Sequence, residues 1–250
     1  MFNSTHIWYM IISVIVSIVI FLLAFRFCKT DKSKSVAIKL FAVITVIIHY
    51  SSLWVDYFTT GTAIAEPPML LPIYPCNICM WLLLITAFLK KRENFAYRTL
   101  SEFTFWAGCV CGFIGILLNE NFAANPTLLN YHILKGMLSH STMIVGAALL
   151  AVLGIVKIRV KNVLSVALGL LLFFIDGTAI NVLYAHFKLP PCNAMYILEA
   201  PFPDLPWLNT ATIAAIALAT ALVLSLLYEQ IFLPKNKRWY MLIKRGEKTN

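Results

Sequence analysis

A chain of 250 residues with 60% hydrophobic and 12% charged residues has a mean hydropathy of +0.82. Soluble domains carry roughly 25% charged residues, so this composition excludes a soluble globular domain and makes lipid the expected solvent. The net charge of +9 does not indicate a nucleic-acid partner. Of the 20 Lys and Arg, 18 lie in four short clusters between or after apolar segments, which is the pattern that membrane insertion produces.

Seven apolar runs occur along the chain, each near the ~20 residues that a membrane-spanning helix needs. No linker divides them, so the sequence predicts an all-α membrane protein: a single polytopic transmembrane domain over residues 1–250 and one bundle of seven transmembrane helices. The predicted spans are 7–25, 38–54, 75–89, 100–118, 132–156, 163–184 and 208–232, followed by a basic tail at 233–250.

The four basic clusters follow the first, third, fifth and seventh runs, and the remaining loops hold only Lys135 and Lys188. Because basic loops stay in the cytosol, this alternation predicts an N-terminus outside and a cytosolic C-terminal tail. The first run has no preceding basic residue and is followed by Arg26 and Lys29. It therefore reads as a signal anchor, and we expect a multi-pass protein of the cell (plasma) membrane.

Four chemically reactive side chains fall at one depth on four different runs. At 1.5 Å per residue, Cys76, His140, Asp176 and His49 lie about 10 to 13 Å below the outer boundary. Ionisable groups inside a bilayer are costly and are functional candidates for that reason. The sequence therefore predicts a shallow site in the outer leaflet, with the first and last runs acting as scaffold.

Each candidate has a chemical role and a structural alternative. Pro75 favours the first position of a helix, which would point the Cys76 thiol at unpaired N–H groups that favour a thiolate; the alternative is a buried Cys packed as a small hydrophobe. His140 suits a general base and Asp176 could orient it or bind a polar headgroup, but both residues could equally be hydrogen-bonded to a neighbouring helix. His49 is a weaker candidate, because its neighbours suggest a generally polar helix end.

Cys79 lies one turn after Cys76, and a CxxC at a helix start is also a redox motif. Metal binding is less favoured, since zinc needs two more ligands and only His49 and His140 are available at this depth. We expect neither a metal nor another cofactor. A disulfide-forming oxidase would also need a second outer cysteine pair, and the outer loops contain only Cys192.

Several short segments resemble, in the same order, motifs of the bacterial YwaF family of integral membrane proteins. The resemblance covers roughly residues 40–205. The matching segments are Leu71-Pro72-Ile73-Tyr74-Pro75-Cys76 (LPLHLC in that family), Phe105-Trp106 (FWG), Ser139-His140 (SHG), Ile180-Asn181-Val182-Leu183 (INLL), and the loop Asn193-Ala194-Met195-Tyr196-Ile197-Leu198-Glu199-Ala200-Pro201 (NYMFLREKP). Tyr74, Ser141 and Ala194 depart from the family pattern, which puts headgroup preference in doubt more than the chemistry.

The YwaF family is similar to the eukaryotic transmembrane protein 164 acyltransferases, which transfer fatty acyl groups onto lysophospholipids. It is more distantly similar to the androgen-induced membrane hydrolases, which cleave lipid esters. The resemblance implies Cys76 as nucleophile and His140 as base. It makes Asn181 and Asn193 candidate oxyanion or headgroup contacts. We add Asn77 and Glu199 as further candidates for supporting or substrate-binding residues.

Three classes of function follow. The first is a lipid acyltransferase or lipid-ester hydrolase whose partners are a membrane phospholipid or lysophospholipid and a fatty acyl donor. The others are a non-enzymatic lipid or small-molecule binder or transporter, and a CxxC thiol oxidoreductase.

Overall fold

The computed structural model describes residues 3–61, 71–89, 94–119, 122, 125, 127–201 and 204–244, and no strand occurs in these ranges. Eight α-helices lie wholly within them, together with three short 3-10 helices. The α-helices are α1 (Ser4–Phe27), α2 (Asp31–Thr60), α3 (Pro75–Phe88), α4 (Phe95–Leu117), α5 (Tyr131–Val152), α6 (Val163–His186), α7 (Thr210–Phe232) and α8 (Trp239–Lys244); the 3-10 helices are Val160–Asn162, Ala194–Tyr196 and Lys235–Lys237.

Six of these helices are long and apolar enough to cross a bilayer: α1, α2, α4, α5, α6 and α7. The predicted all-α membrane fold is thereby confirmed, whereas the orientation of the termini stays a prediction. The third run forms an apolar helix of only 14 residues, about 21 Å long at 1.5 Å per residue. Because the hydrocarbon core is ~30 Å thick, α3 is too short to be counted with the six helices that could cross it.

Helices α2 and α4 start several residues before the predicted apolar runs, because the sequence supplies caps there. Thr30 and Ser33 form a capping box at the start of α2. The side chain of Asn94 accepts a hydrogen bond from the Tyr97 N–H at 2.7 Å at the start of α4. Helix α2 ends at Gly61, whose φ of +74° is a conformation that glycine adopts without strain. Hydropathy detects only the apolar middle of a helix and therefore misses such polar ends.

The chain divides into two compact units, residues 1–156 and 157–250. In the first unit α5 is the central helix: half of it is buried, and it packs against α1, α2, α3 and α4. Helix α1 is scarcely buried and reaches the rest of this unit through polar contacts near its start. The His6 Nε2 lies 2.9 Å from the Ile116 carbonyl oxygen, and the Tyr9 hydroxyl lies 2.8 Å from that of Ser141.

Small residues allow α4 and α5 to approach closely. A methyl group added at Gly108 would lie 2.7 Å from the Cβ of Ala147, and one at Gly112 would lie 2.5 Å from Ile144. Residue numbers rise along α4 as they fall along α5, so the two helices are antiparallel. A connection of six residues, 89–94, likewise makes α3 and α4 antiparallel neighbours. Helices α3 and α5 therefore run in the same direction.

The second unit contains α6, α7 and α8. Glu229 of α7 is buried, and its carboxylate accepts hydrogen bonds from two backbone N–H groups: that of Val160 at 3.0 Å and that of Trp239 at 2.7 Å. Buried charges in proteins require such partners. One carboxylate thereby ties the start of a 3-10 helix and the start of α8 to α7. The predicted single domain over both units stays a prediction.

Candidate active site

Cys76 is the second residue of α3. Pro75 occupies the first helical position, and Tyr74 is the N-cap residue, whose side chain does not cap the helix. The thiol donates to the side-chain oxygen of Asn77 at 3.4 Å, and the backbone N–H groups of Cys76 and Asn77 lie near the sulfur. These N–H groups carry the partial positive charge of a helix start, which stabilises a thiolate.

Asn77 holds the segment before α3 in place. Its side chain is buried, and its amide nitrogen donates to the carbonyl oxygen of Leu71 at 3.5 Å. The same side chain accepts from the Cys76 thiol, so one amide fixes both the approach to the helix and the direction of the sulfur. Asn77 thus links Cys76 to the segment before α3, and its role in the site stays a prediction.

The hydrogen bond of the His140 ring determines which of its two nitrogens carries the hydrogen. Its Nδ1 lies 2.8 Å from the carbonyl oxygen of Gly136, one turn earlier on α5. Since a carbonyl oxygen only accepts, Nδ1 carries the hydrogen, and a neutral ring then has its lone pair on Nε2. That nitrogen faces Gly115 of α4, where an added methyl group would lie 2.3 Å from it. The imidazole therefore needs a glycine opposite it.

A contact between α3 and α5 sets the relative heights of the two candidate residues. A methyl group added at Gly146 would lie 2.6 Å from the side chain of Leu83. Cys76 precedes Leu83 by seven residues and His140 precedes Gly146 by six, which is about 10 Å and 9 Å of helix. Because α3 and α5 run in the same direction, Cys76 and His140 lie at nearly the same height on adjacent helices. Among the described residues no hydrogen bond joins them, and the catalytic pair stays a prediction.

Lys135 is a cation at this site that the sequence analysis did not single out as a candidate. Its ammonium group lies close enough to Cys76 and Asp56 to interact electrostatically with both, and it donates to the Ser52 hydroxyl at 3.4 Å. Asp56 also pairs with His132 at 3.1 Å. The sequence feature that could have identified Lys135 is that it is one of only two basic residues outside the four clusters.

His49 lies on α2 in an aromatic setting. Its ring meets that of Tyr50 edge-on at 5.0 Å, and Tyr50 in turn lies 6.0 Å from the Trp81 ring of α3. The His49 ring is thus packed in an aromatic cluster, and its role in the site stays a prediction. Among the described residues no group of three His, Cys, Asp or Glu side chains is arranged to hold a metal ion.

Asp176 and Asn181 belong to the second unit, on α6. One carboxylate oxygen of Asp176, Oδ2, is buried and has no hydrogen-bond partner in the described part of the chain. The Asn181 side-chain oxygen accepts from the Ala194 N–H at 2.9 Å and from the Cys192 thiol at 3.4 Å, and its nitrogen donates to the Ala194 carbonyl at 3.3 Å. Asn181 therefore fastens the following loop to α6.

Asn193 and Glu199 close that loop. The Asn193 side-chain oxygen accepts from the N–H groups of Leu198 and Glu199 at 3.0 and 3.3 Å, and its nitrogen donates to the Glu199 carbonyl at 2.9 Å. The Glu199 side chain is exposed. The side-chain amides of Asn181 and Asn193 are thus both hydrogen-bonded to backbone groups of this loop, which gives each residue a structural role. The roles of Asn181, Asn193, Asp176 and Glu199 toward substrate stay predictions.

Comparison with known proteins gives one match. A model of the TMEM164 family matches residues 1–228. The chain belongs to the TMEM164 family. This confirms the similarity to transmembrane protein 164, whereas the finer YwaF-type assignment stays a prediction. No curated protein and no solved structure matches the chain. Family membership and the apolar helices together establish a multi-pass membrane protein.

Proposed function

We propose that this TMEM164-family protein is a membrane-embedded lipid acyltransferase or lipid-ester hydrolase in which Cys76 is the nucleophile and His140 the general base. The observation that carries the proposal is the equal height of these residues on adjacent helices, as set by the contact of Leu83 with Gly146. A sulfur at a helix start and an imidazole with its lone pair on Nε2 form the pair that covalent acyl transfer requires.

In the first step Nε2 of His140 takes the proton of the Cys76 thiol. A base is needed because a thiol in a membrane-spanning segment is poorly solvated, and desolvation opposes the thiolate. The sulfur attacks the ester carbonyl carbon of the lipid, and the carbonyl oxygen becomes an oxyanion. When this intermediate collapses, the C–O bond breaks, the alkoxide leaves with the proton held by His140, and an acyl thioester remains on Cys76.

In the second step a hydroxyl group attacks the thioester while His140 takes its proton. The C–S bond then breaks and the proton returns to the Cys76 sulfur. A lysophospholipid hydroxyl gives acyl transfer and water gives hydrolysis. The same residues serve both outcomes, so access of water to the thioester decides between them.

The oxyanion in both steps needs nearby donors or positive charge. The donors we assign to this role are the backbone N–H groups of Cys76 and Asn77 at the start of α3, and Lys135 adds a positive charge that interacts electrostatically with Cys76. These three groups would take the role that the sequence resemblance implies for Asn181 and Asn193.

We place the site in the outer leaflet of the cell membrane. The support is the distribution of basic residues, with 18 of 20 in clusters that alternate with nearly uncharged loops. The ester bonds of phospholipids lie near the headgroup boundary, a little above the depth of Cys76. The partners are therefore phospholipid or lysophospholipid and a fatty acyl donor from the same leaflet.

The test uses the purified full chain in vesicles containing phospholipid with a deuterated acyl chain and an unlabelled lysophospholipid. Mass spectrometry follows transfer of the deuterated chain and release of deuterated fatty acid. We expect turnover with the native chain, abolition by Cys76→Ala and by His140→Ala, and much of the activity retained by Cys79→Ala. Cys79 is the matched control because it lies on the same helix one turn away.

Two results would contradict the proposal. If the folded Cys76→Ala variant retains turnover, Cys76 is not the nucleophile. Loss in Cys79→Ala equal to that in Cys76→Ala, with His140→Ala active, indicates a redox dithiol instead. Absence of turnover with all acyl donors, together with saturable lipid binding, favours the non-enzymatic binder or transporter.

A further inference from the structure

Two free thiols on neighbouring helices lie near Cys76. Cys79 of α3 and Cys111 of α4 are close enough to interact electrostatically, and both cysteines are free. Cys79 is fully buried, whereas Cys111 is partly exposed. The CxxC pattern of the sequence directs attention to Cys76 and Cys79, but the three-dimensional partner of Cys79 is on the next helix.

The packing register of the two helices gives the same pairing independently. The hydroxyl groups of Thr86 on α3 and Thr104 on α4 are 3.2 Å apart and buried. Cys79 lies seven residues before Thr86, and Cys111 lies seven residues after Thr104. Seven residues are close to two helical turns, so in an antiparallel pair Cys79 and Cys111 return to the facing sides at the same height.

The helices approach closely at this register. The two bonded threonine hydroxyls are each one bond beyond Cβ, which is the position of a cysteine sulfur. Cysteine sulfurs two turns away on the same facing sides are therefore expected to approach each other, and a disulfide requires them to come within about 2.05 Å. Cys109, two residues before Cys111, projects from another side of α4 because successive residues are rotated by about 100°.

We propose that Cys79 and Cys111 form a reversible disulfide that joins α3 to α4, with organic hydroperoxides dissolved in the bilayer as oxidant. The location selects this class of oxidant, because Cys111 lies on the membrane-spanning helix α4 and Cys79 on the short apolar helix α3 beside it, and an apolar hydroperoxide concentrates in such surroundings. This inference does not rest on the acyltransferase proposal. It gives Cys79 a role separate from that of Cys76.

The chemistry balances in two steps. The sulfur of Cys111, the more exposed thiol, attacks the terminal oxygen of the hydroperoxide; the O–O bond breaks and the alkoxide leaves as an alcohol with the thiol proton. Cys111 is then a sulfenic acid. The Cys79 sulfur attacks it, the S–S bond forms, and hydroxide leaves as water with the Cys79 proton. Two thiols lose two electrons and one hydroperoxide becomes an alcohol and water.

The experiment treats membranes containing the full chain with cumene hydroperoxide, blocks remaining thiols with N-ethylmaleimide, and digests without reduction. Mass spectrometry then reads the disulfide connectivity. We expect a peptide linking Cys79 to Cys111 in the native chain, its persistence in Cys76→Ser and Cys109→Ser, its loss in Cys111→Ser, and its reversal by a phosphine reductant. Cys109→Ser is the matched control on the same helix.

The native chain alone shows whether Cys79 and Cys111 form a disulfide, so the test does not depend on the folding of any variant. Maleimide on both Cys79 and Cys111 after oxidation would overturn the proposal. A Cys76–Cys79 disulfide as the main product, or irreversible oxidation of Cys111 with Cys79 still free, would overturn it as well. If hydrogen peroxide at equal concentration forms the bond as fast as cumene hydroperoxide, the assignment of an apolar oxidant is wrong.

Discussion

Gly115 carries the most specific structural prediction for the catalytic pair. In Gly115→Ala the new methyl carbon would lie 2.3 Å from Cδ2 and Nε2 of His140, whereas ordinary contact begins at 3.4 Å. The imidazole must therefore withdraw by about 1 Å from its place, and a displacement of that size at a catalytic group costs on the order of 100-fold in rate. We expect Gly115→Ala to lower acyl turnover in vesicles by about that factor while the protein remains folded.

Two matched variants separate this effect from general damage. In Gly136→Ala the methyl group fits, at 3.6 Å from the Asn119 amide, and turnover should stay near the native value. In Gly108→Ala it meets Ala147 at 2.7 Å, which disturbs the same helix pair away from His140 and should lower thermal stability more than turnover of the folded protein. Native turnover in Gly115→Ala, or an equal loss in Gly108→Ala, would refute the reasoning.

Three further predictions follow from named contacts. Lys135→Met removes a cation that interacts electrostatically with Cys76 and should slow turnover by roughly 10-fold, which corresponds to about 1.4 kcal/mol, with activity recovered in Lys135→Arg; unchanged turnover in the Met variant would show that Lys135 does not act at the site. An impermeant maleimide should label Cys192 in intact cells, and labelling only after lysis would reverse the orientation. Asn181→Ala leaves the buried N–H of Ala194 without its partner, so it should lower the free energy of unfolding by about 1 to 3 kcal/mol, and an unchanged thermal midpoint would contradict that role.

The sequence predicts the helices because span length and hydropathy reflect the thickness of the bilayer. It also predicts Pro75 at the first position of α3, because proline lacks the N–H that is unpaired there. The common depth of Cys76 and His140 follows from counting residues along each run. These features depend on one helix at a time. The structure confirms the apolar helices and the place of Pro75, and the common depth stays a prediction.

The lateral contacts were not predictable from the sequence. A helix that is apolar on all sides carries little periodic signal for which face meets protein and which meets lipid. Gly115 opposite His140, Lys135 beside Cys76 and Cys111 opposite Cys79 all depend on how neighbouring helices are rotated. Small residues at the spacing of Gly108 and Gly112 indicate a close helix contact, but they do not identify the partner helix.

The central claim is that Cys76 carries the acyl group during turnover. The most direct measurement incubates the native chain with phospholipid that bears a deuterated acyl chain, stops the reaction in acid, and maps acylated peptides by mass spectrometry. We predict the deuterated chain as a thioester on Cys76 that neutral hydroxylamine removes and that is absent in Cys76→Ser. Turnover without an acyl group on Cys76, or with the chain on Cys79 instead, would contradict the account.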